Sequence, residues 1–213
     1  MLSGWWLRWR QPRRRGEQGR QAAPRWVVLD VETTGLDPRR DEVLCIGAVG
    51  LCEGRIIVAD SLELAVRPQR VSDRGNILVH GIGAGAQRAG LDPGEAARRL
   101  QAYLGGAPLV AWHAAFDRAF LERLFASTGL PAIDNAWIDL ADLAPALLAT
   151  VRARTFDEWL AALSIPMDQR HHAVADALAT AMMLARLLAL LPPPERTAAG
   201  VRRRIDQARW LRR

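Results

Sequence analysis

The sequence predicts an α/β domain, a mixed central β-sheet with helices packed on it. Two observations carry that reading. Short apolar or β-rich runs alternate with amphipathic stretches along most of the 213 residues, which is how strands hand over to helices. The first strands are also separated by a tight turn rather than a helix, so they pair antiparallel and the sheet cannot be wholly parallel. No internal repeat is present.

Each element has a local reason. "RWVVLDV" is a β-rich run opening the body, and "EVLCIGAVGLCEGRIIVADSLELAV" divides into two strands about a turn at Glu53-Gly54. "DPGEAARRLQAYLGG" has Asp92 as N-cap, Pro93 after it, helical spacing and glycines to stop it. "APLVAW" is a short buried strand, and "AAFDRAFLERLFASTGL" an amphipathic helix ending at Gly129. "AWIDL" is a further short strand, and "TFDEWLAALSI" opens with a capping box, Thr155 to Glu158. "HHAVADALATAMMLARLLALL" is a long helix stopped by Pro192-Pro193-Pro194.

The composition divides the chain in three. Residues 1–24 lack periodicity and are rich in Arg, Gln and Gly, the pattern of a flexible leader. Residues 25–194 form the folded domain, and residues 195–213 a basic, helix-compatible tail. The net charge of +6 hides an acidic body between basic ends, and all 29 basic residues are arginine. "GWWLRWRQPRRR" interleaves Trp with Arg, a pattern open to nucleic-acid, membrane-surface or partner contact. No apolar run approaches the roughly 20 residues that span a bilayer, which predicts no stable membrane insertion. Cys45 and Cys52, the only cysteines, lack metal-like spacing and suit a reducing cytoplasm.

Three short segments place acids where apolar residues are expected. Asp30 and Glu32 end the first strand and, two apart, share one face. Such a pair is equally a solvent-facing strand end or a dication site, because adjacent carboxylates repel and oxygen-seeking cations relieve them. Asp117 lies one turn into a helix that follows a buried strand, beside Phe116. Asp176 sits among alanines on an apolar helix, five residues after His171. A buried carboxylate there needs a cation nearby.

In combination the segments say more. "DVETTG" at 30–35, "HAAFD" at 113–117 and "HHAVAD" at 171–176 resemble the DnaQ-like 3′–5′ exonucleases. Within that family they resemble the DEDDh type, which includes the DNA polymerase III epsilon-subunit exonuclease domain. "LVHGIGAG" at 78–85 and "AWIDLADLAPAL" at 136–147 resemble further family segments. The chain departs at His113, where the family usually has Asn, at Gly83, where it usually has Thr, and at Gly75-Asn76, where an acid is often found.

The resemblance implies a ribonuclease-H-like fold. It implies that Asp30, Glu32, Asp117 and Asp176 hold two divalent cations, Mg²⁺ or Mn²⁺, and that His171 is the general base. Thr33, Thr34, His80, His113 and Phe116 are then expected to contact substrate. The implied reaction is two-metal hydrolysis of a phosphodiester, releasing nucleoside 5′-monophosphates from a free 3′ end. Single-stranded DNA is the first expected partner, with RNA trimming, a turnover-free binding module and a phosphatase as alternatives. A polymerase or repair protein is an expected associate.

Overall fold

A computed structural model describes residues 25–167 and 170–211; the leader expected over 1–24 lies outside the described residues. Strands β1 (Trp26–Thr33), β2 (Val43–Cys52) and β3 (Arg55–Ala65) form an antiparallel meander, and β4 (Leu109–Ala111) and β5 (Trp137–Asp139) run parallel to β1. The sheet order is β3-β2-β1-β4-β5, the mixed sheet expected. Cys52 pairs with Arg55 across the turn, with Glu53 at φ 54° and Gly54 at φ 73°. Both central residues are left-handed, as the tightest hairpins require.

Helices α1 (Arg74–His80) and α2 (Ala84–Ala89) link the meander to α3 (Pro93–Leu104), whose first turn is capped by the Asp92 carboxylate. After β4 comes α4 (Ala114–Thr128), and after β5 come α5 (Leu140–Leu147), α6 (Phe156–Ala162), α7 (Ala173–Ala189) and α8 (Ala198–Leu211). Thr155 and Glu158 form the expected capping box on α6. The segment read as a basic tail holds α8, which buries Val201 and Ile205 in the core. Their i,i+4 spacing puts one apolar stripe under an otherwise charged helix.

The sheet is covered on both faces, and β1 divides the two cores by its period of two. Val27, Leu29 and Val31 face α3 and α4, whereas Trp26 and Val28 face α5 to α8. Continuing the second set brings Asp30 and Glu32 onto the α7 side. Met183, Leu184 and Leu187 of α7 are fully buried, and each side chain of that size contributes about 1.5–3 kcal/mol. They clamp the helix, and so fix where its first turn can lie.

Gly47 sets how close that turn comes. It pairs with Asp30 across β1 and β2. A Cβ on Gly47 would fall inside the van der Waals envelope of the Ala173 carbonyl and the Val174 nitrogen. The backbone of α7 therefore rests directly on the sheet beside Asp30. Gly47→Ala is expected to destabilise the fold by about 1–3 kcal/mol, the usual cost of overpacking, in urea denaturation. A variant as stable as the parent would contradict this contact.

Candidate active site

Asp30 and Glu32 project from the end of β1, and Asp176 descends onto them from the first turn of α7. One oxygen from each of the three lies within 4.8 Å of the other two. Asp117 arrives from the opposite layer, in the first turn of α4, and is 3% exposed. Its Oδ1 accepts the Val31 N–H at 3.1 Å, so it is pinned beneath the strand between Asp30 and Glu32, outside the tight trio. Two helix N-termini thus present acids to one strand end, where the positive ends of the helix dipoles favour them.

The carboxylates pay for this crowding in basicity. Burial, then the nearby charges of Asp117, Asp176 and Glu32, hold the Asp30 carboxyl well above the usual range. Burial, then Asp176, pushes Glu32 up to about 7. Burial also raises Asp117 well above its ordinary value, opposed by its hydrogen bond from Val31. The Arg170 guanidinium pulls Asp30 and Glu32 the other way. It donates through Nη1 to Asp176 Oδ1, and the His171 N–H donates to Oδ2 of the same carboxylate at 2.9 Å. His171 reaches this position with φ at 60°. That left-handed backbone turns the chain sharply just before α7 and leaves the imidazole exposed at the cleft.

Of the residues expected to meet substrate, Thr33, His80 and Phe116 line the cleft with the acids and His171. His80 is nearly buried, and its Nδ1 accepts the Ile82 N–H at 3.0 Å. Its Nε2 faces Ser72 Oγ, so the ring is braced in place. Burial, then the neighbouring His171, lowers its pKa.

Thr34 and His113 do not line the cleft. The Thr34 hydroxyl accepts the Glu42 N–H at 2.9 Å and serves the turn after β1. His113 has φ 58° and begins α4, its N–H donating to Asp139 Oδ1 at 3.0 Å and its ring lying against Trp112.

Sequence reasoning passed over Arg170, Asn76 and Leu36, all of which line the cleft. Asn76 Nδ2 donates to the Thr33 carbonyl at 2.9 Å, tying α1 to the end of β1. Leu36 is 84% exposed and Val79 53% exposed at the cleft mouth; large apolar groups left in water beside a polar site are the signal that finds such a lip. Arg170 adjoins His171 in sequence, and its charge amid acidic motifs was the available clue.

The exonuclease family model matches residues 27–184. The chain belongs to the exonuclease family. It is 33% identical over 178 residues to a DNA polymerase III subunit epsilon-like protein of Rhodobacter capsulatus, covering 82% of this chain and 25% of that protein. It is 31% identical over 163 residues to DNA polymerase III PolC-type of Bacillus cereus, covering 76% of this chain and 11% of that one. The chain therefore spans about a quarter or less of these curated relatives. In structure it resembles E. coli exonuclease I in complex with a dT13 oligonucleotide, with a TM-score of 0.68 at 20% identity, covering 77% of this chain and 41% of that one. This is the ribonuclease-H-like exonuclease fold expected from the motifs.

The all-oxygen donor set of Asp30, Glu32 and Asp176 fits a hard divalent cation. Among the described residues, no helix is long and apolar enough to cross a membrane.

The raised carboxyls give a pH signature. A carboxylate whose folded pKa lies above its unfolded value stabilises the fold at low pH and loses that contribution as pH rises through the folded pKa. For Glu32 the window runs from about 4.5 to about 7, and Asp30 and Asp117 act in the same direction. In thermal melts with EDTA, Tm is expected to fall between pH 5 and pH 8, and Asp30→Asn to reduce that fall. A Tm that rises over this range would contradict the crowding.

Proposed function

We propose that this chain is a metal-dependent 3′–5′ exonuclease that releases nucleoside 5′-monophosphates from single-stranded DNA. The observation that carries the reading is the convergence of three carboxylate oxygens within 4.8 Å, beside an exposed histidine, in a cleft with apolar lips. The epsilon-like and PolC-type relatives and the oligonucleotide in the exonuclease I complex favour DNA as substrate and a polymerase assembly as its setting.

Asp30, Glu32 and Asp176 would hold one cation, and Asp117, beneath Asp30, would complete the set for a second. When bound, such cations supply a Lewis acid that makes water a better nucleophile and offsets charge on the phosphate and the leaving oxygen. The His171 imidazole, exposed at the cleft, would accept the proton of the attacking water as general base. The new bond joins that oxygen to phosphorus, the bond to the 3′ oxygen breaks, and the leaving oxygen is protonated from solvent. The product keeps its phosphate on the 5′ side.

Leu36, Val79 and Phe116 offer apolar surface to the terminal base and sugar. Such walls stack on any base and read none of their edges, so the site should tolerate sequence. The cleft is lined from the end of β1, from α1 and from the starts of α4, α6 and α7, and an unpaired 3′ end is its proposed occupant.

With a 5′-labelled oligonucleotide and Mn²⁺, a ladder shortening from the 3′ end is expected, with mononucleotides as product. Asp30→Ala and Asp176→Ala should abolish it while leaving circular dichroism unchanged. His171→Ala should slow it by about 10²–10⁴-fold, the usual loss of a general base. Internal cleavage, shortening from the 5′ end, or full activity in Asp30→Ala would each overturn the reading.

A further inference from the structure

Arg170 stands where the mechanism above has no use for a cation. Among the described residues it is the one arginine lining the cleft. Its Nη1 donates to Asp176 Oδ1, its Nε pairs with Asp157 Oδ1 at 2.9 Å, and its guanidinium carbon lies 4.8 Å from the centre of the Phe156 ring. It therefore bridges the first turn of α6 to the first turn of α7. Asp157, at the far end of that bridge, is 69% exposed in its side chain and takes no part in the acid cluster.

Both oxygens of Asp176 are engaged, Oδ1 by Arg170 and Oδ2 by the His171 N–H. A dication ligated by Asp176 has to share one of these oxygens, and the guanidinium charge held at Oδ1 opposes it on either. Charge-assisted hydrogen bonds of this kind are among the stronger ones, so the competition has weight. The guanidinium has somewhere to go, because Asp157 and the face of Phe156 hold its other side and keep it at the cleft.

We propose that Arg170 competes with the metal for Asp176, and that the guanidinium so displaced becomes a contact for the substrate phosphate. The charges agree. Four carboxylates and two dications sum to zero, so Arg170, whose partner Asp157 is 69% exposed and does not line the cleft, adds a positive charge facing the phosphate. Its planar fork also suits two phosphate oxygens better than an ammonium would. The inference rests on the metal reading above and adds to it a residue that sets metal affinity and substrate affinity in opposite directions.

The test is calorimetric titration of Mn²⁺ into the wild-type protein, R170Q, R170K and D157N, with circular dichroism to confirm each fold. R170Q is expected to bind Mn²⁺ about tenfold more tightly, the effect of removing one charge-assisted competitor. D157N is expected to bind it more weakly, because Arg170 loses its alternative partner and settles on Asp176. R170K should lie between R170Q and the wild type. A bridge that only braced the loop would predict loosening, and hence weaker binding, in R170Q and D157N alike. At saturating Mn²⁺, R170Q should bind thymidine 5′-monophosphate more weakly than the wild type does. Unchanged or weaker Mn²⁺ binding in R170Q, or unchanged nucleotide binding there, overturns the proposal while wild-type binding leaves the metal reading intact. Wild-type protein that binds Mn²⁺ no better than D30N does would remove that reading, and this inference with it.

Discussion

Carboxylates that repel one another are forced together at the end of β1, and the rest of the molecule is arranged around that repulsion. Three of their oxygens fall within 4.8 Å, in surroundings that hold Asp30 and Glu32 above their ordinary pKa. Nothing in the acids themselves favours this. The force comes from apolar packing elsewhere. The buried half of α7, through Met183, Leu184 and Leu187, fixes the helix on the sheet, and bare Gly47 lets its first turn settle beside Asp30. On the opposite face, the hydrogen bond from Val31 locks Asp117 under the strand. Hydrophobic burial thus does the work, and the cost appears as acids that hold protons too tightly or call for cations.

The same strand explains why the site lies where it does. Trp26 and Val28 face one core, and Val27, Leu29 and Val31 the other. As β1 leaves the sheet, the α7 side turns from Trp and Val to Asp and Glu without breaking its period. Helices α4 and α7 then begin beside its end, so their dipoles and acids meet there. Open α/β sheets characteristically place ligands at such carboxyl ends of strands. Arg170 belongs to the same balance, a cation supplied by the chain at the point where negative charge is densest.

Much of this was legible in the residues. Period-two hydrophobicity, the Glu53-Gly54 turn, the Asp92 cap and the Thr155 capping box are local signals, and local physics honours them. The acids announced themselves as charges in apolar company. What escaped were properties that exist only between distant segments. Gly47 reads as an ordinary strand glycine until α7 rests on it, and Asn76 as a departure from the family pattern until it bonds to Thr33. Thr34 and His113 sit inside the motifs, yet their backbone turns send them to structural partners, Glu42 and Asp139. The segment after residue 194 looked separate because it carries seven arginines and two acids. Val201 and Ile205, at i,i+4 spacing, anchor it in the core, and Arg209 pairs with Asp142 of α5.

The account depends on a dication being what the crowded oxygens are built to hold. Crystals grown with Mn²⁺, measured for anomalous scattering at the manganese edge, test this most directly. The account predicts a strong peak among Asp30, Glu32 and Asp176, within bonding distance of all three. A protein saturated with Mn²⁺ whose anomalous peaks lie elsewhere, with those three carboxylates unligated, would contradict it.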